Sequence, residues 1–116
     1  MSTIRPVRLQ LSRAAGFDLQ DLSLRYNRRP CVNVTRPGRW GNRFSIAPTI
    51  TPGATISGRY IAVPTLEDAI ECFWLYLIEN HDLMLAGREA MHGCNVACWC
   101  KPHEKCHGDI WLEVSR

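Results

Sequence analysis

Asn95-Val96-Ala97-Cys98-Trp99-Cys100 carries no charge and is closed by Lys101-Pro102. An uncharged, β-prone run of this length, ended by turn chemistry, is the pattern of a strand covered on both faces. Such strands lie at the centre of a sheet flanked by helices. Downstream, Cys106-His107-Gly108-Asp109 leads into Ile110, Trp111, Leu112 and Val114, which reads as a terminal helix. Upstream, Leu83 to Met91 reads as a short helix with Asp82 as its N-cap and Gly93 as its stop. Before that, Thr65 followed three residues later by Asp68 opens a longer helix running through Glu79. Its apolar residues at 66, 69, 70, 73, 74, 77 and 78 recur at helical spacing.

The N-terminal half is less regular. Val7, Leu9 and Leu11 alternate with Arg8, Gln10 and Ser12, which predicts a half-buried strand within Arg5–Ser12. Ala14 to Pro30 has no clean period and reads as a loop with one helical turn. Cys31 to Val34 is a short strand ended by Thr35-Arg36-Pro37-Gly38. Phe44 to Val63, rich in Pro, Gly, Thr and Ile, reads as a β-hairpin or irregular arm turning about Pro52-Gly53. The expected architecture is therefore a single α/β domain over residues 1–116. A mixed sheet holds Asn95–Cys100 as its buried central strand, with two or three helices around it. A chain of 116 residues has room for one core.

With 46% hydrophobic and 22% charged residues, the composition is that of a globular protein rather than a disordered or fibrous one. No apolar run approaches the roughly 18 residues of a membrane helix, and Met1-Ser2-Thr3-Ile4-Arg5 leads into no leader-like stretch, so a cytoplasmic location is expected. In that reducing setting the six cysteines, four of them between Cys94 and Cys106, read as free thiols or ligands rather than a disulfide framework. Charge is distributed unevenly. Residues 1–44 hold nine arginines against Asp18 and Asp21, while the remainder is net acidic. Twelve of the fourteen cations are arginine, whose planar fork suits phosphate and carboxylate, so an anionic partner is expected.

Two constellations carry the chemistry. In Arg36-Pro37-Gly38-Arg39-Trp40-Gly41-Asn42-Arg43-Phe44, the glycines let backbone N–H groups approach a ligand. Arg36, Arg39 and Arg43 neutralise phosphate, Asn42 hydrogen-bonds and Trp40 stacks on a ring. The competing reading makes Trp40 and Phe44 core plugs beneath solvated arginines. The second constellation is Cys98-Trp99-Cys100 with Cys106-His107-Gly108-Asp109. Strand geometry puts Cys98 and Cys100 on one face, and Cys106 and His107 return at a helix start, where free N–H groups also favour an anion. Three readings compete here. Zinc would take Cys98, Cys100, Cys106 and His107, with Cys94 or His103 in reserve, although a C-x-C pair inside a strand chelates poorly. Alternatively, Cys106 is a nucleophile activated by the helix terminus and His107, with Asp109 as acid or base. In the third, Cys98 and Cys100 are core residues and Cys106-His107 caps the helix. Cys72 reads as a core thiol, and His81 and His92 as ordinary helix-end residues.

These motifs, R-P-x-x-W-G-N-x-F at Arg36–Phe44 and A-C-W-C-K-P…C-H-G-D at Ala97–Pro102 and Cys106–Asp109, resemble those of a family of short phage and bacterial proteins catalogued as a domain of unknown function. The chain departs from that pattern in having Arg43 where proline usually follows W-G-N, and in a longer segment over residues 45–63. A weaker likeness is to another small α/β family whose chain ends in a cysteine-bearing strand and a C-H-R helix start. The resemblance implies a compact α/β fold with both motifs converging on one pocket, in a bacterial or phage-infected cell, and brings no established reaction.

The expected function is binding of a nucleotide, nucleoside or related phosphorylated ligand between the W-G-N loop and the C-H-G helix start, with Gly108 contributing its N–H and catalysis left open. The rivals are a non-enzymatic interaction protein that binds nucleic acid or an acidic host protein, and a small zinc-stabilised module. No cofactor is expected other than that zinc, and no membrane partner.

Overall fold

The computed structural model describes residues 5–116; Met1 to Ile4, read above for a leader, lie outside the described residues. In chain order the elements are β1 (Arg8–Gln10), α1 (Leu19–Asn27), β2 (Cys31–Asn33), β3 (Phe44–Ile46), β4 (Thr55–Ile56), β5 (Tyr60–Val63), α2 (Leu66–Glu79), α3 (His81–Met91), β6 (Asn95–Cys98) and α4 (His107–Val114). The fold is α/β, as expected, but the strands form two three-stranded sheets rather than one.

The first sheet has the order β1-β6-β2, and both pairings are parallel. All four residues of β6 are buried, which accounts for its uncharged sequence. It ends at Cys98, two residues before the expected boundary, and Trp99 beyond it is 46% exposed. The β1 strand is likewise shorter than the alternating stretch that announced it.

Where a loop with one turn was expected, α1 runs for nine residues from an Asp18 N-cap that accepts from the Asp21 amide. The apolar period is missing because the inward face is polar. Ser23 and Asn27, one turn apart, are its buried residues, while Leu24 and Tyr26 face solvent. Asn27 and Asn95 exchange a reciprocal pair of amide hydrogen bonds at 2.8 Å, and Asn95 also donates to the Ser23 hydroxyl and accepts from the Val7 amide. Polar pairing therefore docks this helix on β6.

In the second sheet β5 lies between β3, which is parallel to it, and β4, which is antiparallel. The hairpin joining β4 to β5 turns through Ser57 and Gly58, both at positive φ, and not at Pro52-Gly53. The α2 helix begins as read, with Thr65 accepting from the Asp68 amide. The α3 helix starts two residues earlier than expected and has Asn80, rather than Asp82, at its N-cap. One core cluster joins both halves: Val34, Phe73, Leu77, Met91, Val96, Cys98, Cys106 and Trp111. Cys72, read as a core thiol, is half-buried and outside this cluster.

Candidate functional site

Three thiols gather where β6 delivers its C-terminal end to the start of α4. Cys98 is the last strand residue, Cys100 follows in the loop, and Cys106 is the N-cap of α4. Their sulfurs all lie within 4.8 Å of one another, with Cys98 and Cys106 at 3.0 Å. His107, expected as the fourth zinc ligand, does not belong to this trio, nor do Cys94 and His103, and all six cysteines are free. The Cys106 sulfur accepts the Gly108 amide at 3.4 Å, while Asp109 reaches back to the Cys106 amide at 3.2 Å, a capping box with a thiol in place of the usual hydroxyl. His107 is buried, and its Nε2 lies 2.6 Å from the Val34 carbonyl. A carbonyl only accepts, so Nε2 carries the proton and the Nδ1 lone pair faces the Cys106 sulfur at 3.7 Å.

Arg8 holds this corner together. Its side chain is 7% exposed and donates to the Cys98 sulfur, to the carbonyls of Cys100, Lys101, Pro102 and Glu104, and to Asp109 at 3.0 Å. Gly108 is small for this reason, since a Cβ there would lie 3.0 Å from the Arg8 Cδ. Asp109, expected as acid or base, spends its two oxygens on the helix cap and on Arg8.

Electrostatics separates the thiols. The hydrogen bond with Cys106 lowers the Cys98 thiol, with Arg8 assisting and burial opposing. Cys106 is pushed upward by the same bond and by burial. Burial also raises Cys100 and lowers His107. Burial works against the charge on Arg8, but the Cys98 hydrogen bond and the neighbouring acidic groups more than offset it. Arg8 donates to the Cys98 sulfur, so the cation of this corner is bonded to Cys98, where the sequence pointed to Cys106 as the activated thiol.

The W-G-N loop builds a hollow of about 560 Å³ lined by Arg36, Arg39, Arg43 and Arg59 with Tyr60 and Tyr76. No carboxylate lines it, and among the described residues none of these arginines has an ion-pair partner. Three of them lie over aromatic rings: Arg36 over Tyr60 at 5.2 Å, Arg43 over Tyr76 at 5.3 Å and Arg39 over Trp40 at 4.7 Å. Gly41 lets the loop close on itself, because a Cβ would stand 3.0 Å from the Arg36 backbone. Asn42 lines the hollow but is buried. Its amide donates to the Ala69 carbonyl at 3.1 Å and accepts from the Phe44 amide at 2.9 Å. Trp40 turns inward instead. Its ring meets Trp111 edge-to-face at 5.5 Å, and its carbonyl accepts the Trp111 indole N–H.

A second hollow, of about 280 Å³, is lined by Thr35, Arg36, Cys98, Trp99, Cys100 and His107. The two constellations therefore do not form one pocket: Arg36 lines both of these hollows, while Cys106 and Asp109 line a third, of about 350 Å³, with Ile70, Trp74 and Lys105. Sequence reasoning missed Arg8, Arg59, Tyr60, Tyr76 and Trp99. Trp99 was hidden because its uncharged run reads as covered to Cys100, whereas the strand ends at Cys98 and leaves the indole 46% exposed.

Residues 22–116 match the family model described as Domain of unknown function (DUF4326), and the chain belongs to that family. The matched span contains all three hollows, and Arg8 precedes it. No curated protein and no solved structure matches the chain.

Proposed function

We propose that this protein binds a small phosphorylated ligand of the nucleotide class, with its anionic group held in the arginine hollow. The observation that carries this reading is the set of four arginines around one concavity that contains no carboxylate. Among the described residues none of the four has an acidic partner and three are held over aromatic rings, so apart from the N–H that Arg36 donates to the Phe44 carbonyl their edges are open to an incoming anion, and stacking reduces the rotamer freedom lost on binding. A concave site of this size suits a small molecule. Arg36, shared by both hollows, is the residue a bound ligand is least able to avoid. A charge-assisted hydrogen bond contributes about 1.5–3 kcal/mol, so Arg36→Ala should weaken nucleotide binding about tenfold or more. Calorimetric titration of a nucleoside mono-, di- and triphosphate panel into both proteins tests this. Equal affinities, or no binding by the wild type, would exclude the reading.

A second reading rests on the sulfur trio. Three thiols within 4.8 Å can hold one metal ion, and thiolates are donors that zinc prefers. His107 lies outside the set, with its Nδ1 3.7 Å from the Cys106 sulfur alone, so the three thiolates would hold the ion. The objection from C-x-C spacing weakens because Cys100 lies past the end of the strand. Zinc here would pin the end of β6 to the start of α4. Elemental analysis of the purified protein should then give about one zinc per chain, and its absence from protein purified without chelator would remove this reading.

A further inference from the structure

We infer that Trp99 is the platform for the planar ring of the bound ligand: the ring lies in the cysteine hollow while its phosphate lies among the arginines, with Arg36 at the junction. This rests on the nucleotide-binding reading above and adds to it the place of the base and the residue that recognises it. Trp40, the ring donor expected from sequence, is committed to Trp111 and lines neither hollow. Trp99 is 46% exposed and stands in the wall of the smaller hollow. Its backbone continues directly from β6, the central strand, so the indole is mounted on the best-buried strand of the molecule. The Arg13 guanidinium lies 4.6 Å from the ring centroid, which steadies the indole from one side.

The chemistry of the remaining wall fits a π-face better than a sugar. The Thr35 hydroxyl donates to Asn33 and the His107 Nε2–H to Val34, which leaves chiefly sulfur, indole and the Arg36 fork. A volume of about 280 Å³ takes one ring system rather than a whole nucleotide, and the adjoining 560 Å³ takes the phosphates. With few free donors or acceptors, the site should discriminate weakly among bases, because every base offers a π-face to stack.

The test is calorimetry with ADP and inorganic pyrophosphate on wild type, Trp99→Ala and Trp99→Phe. Wild type should bind ADP about tenfold or more tightly than pyrophosphate, the range that base–aromatic stacking supplies. Trp99→Ala should bring ADP down to the pyrophosphate level with pyrophosphate binding unchanged, and Trp99→Phe should keep most of the difference. Equal binding of the two probes by wild type, an ADP advantage that survives Trp99→Ala, or a parallel loss of both probes in that variant would each overturn the platform while leaving anion binding in place. If neither probe binds wild type, the anion-binding reading fails and the platform with it.

Discussion

Cys100, Lys101, Pro102 and Glu104 all present their carbonyls to one guanidinium. The segment between Trp99 and Lys105 has no regular structure, and residues 101–105 are exposed, so its shape depends on Arg8 more than on its own backbone bonds. Arginine can serve a ring of carbonyls because its five donors spread over a planar fork; an ammonium offers three from one point. Arg8→Lys should therefore keep the charge beside Cys98 and Asp109 but lose most of the loop contacts. The expected cost is about 2 kcal/mol or more in a urea unfolding titration, together with faster hydrogen exchange over residues 101–105. A lysine variant as stable as wild type, with unchanged exchange, would contradict this role. Sequence could not reveal it. An arginine alternating with Val7 and Leu9 reads as the wet face of a strand, and the carbonyls that bury it come from residues more than ninety positions away. The capping part of Asp109 was legible, because a first-turn aspartate follows from local helix chemistry.

Helix α3 meets α4 at Gly87, where an added Cβ would fall 2.1 Å from the Trp111 Cζ3. Trp111 has no room to yield, since it is fully buried between Trp40 and Phe73. Glycine inside a helix costs roughly 1 kcal/mol relative to alanine, so in isolation Gly87→Ala would stabilise α3. Here overpacking, which typically costs 1–3 kcal/mol and more against an immobile aromatic, should win, for a net loss of about 2 kcal/mol. Thermal unfolding of Gly87→Ala checks the sign, and a raised melting temperature would show that the helices can separate cheaply. Elements were legible wherever burial is apolar and local. The stripe of α2 has a period, and the uncharged β6 shows itself as covered on both faces. They were illegible where docking is polar, as for Ser23 and Asn27 of α1. The Ser57-Gly58 turn was missed because Pro52-Gly53 is the stronger turn pair by composition, although only the former joins paired strands.

Taken over the whole molecule, most of the arginine excess in residues 1–44 is divided among separate tasks. Arg8 is buried, Arg25 pairs with Asp21, Arg29 donates to the Gly93 carbonyl, Arg13 lies on Trp99, and Arg36, Arg39 and Arg43 enter a concavity that Arg59 completes. This dispersal separates the two partner classes that the charge alone left level. A duplex engages a stripe or surface of cations and releases condensed counterions, so its affinity falls with a log–log salt slope of about −0.9 per phosphate contacted. If four arginines of the hollow were neutralising backbone phosphates, raising salt from about 50 to 200 mM would weaken binding on the order of a hundredfold. A free nucleotide has no condensed counterion atmosphere, and inside a hollow its contacts are screened less than surface contacts are. Over the same range ADP affinity should fall less than about tenfold, and a labelled duplex should bind more weakly than ADP at the higher salt. Calorimetry for the nucleotide and fluorescence anisotropy for the duplex give both slopes on one protein sample. A duplex that outbinds ADP at low salt and loses a hundredfold by 200 mM would identify the arginines as a nucleic-acid contact and assign the hollow to a phosphate backbone.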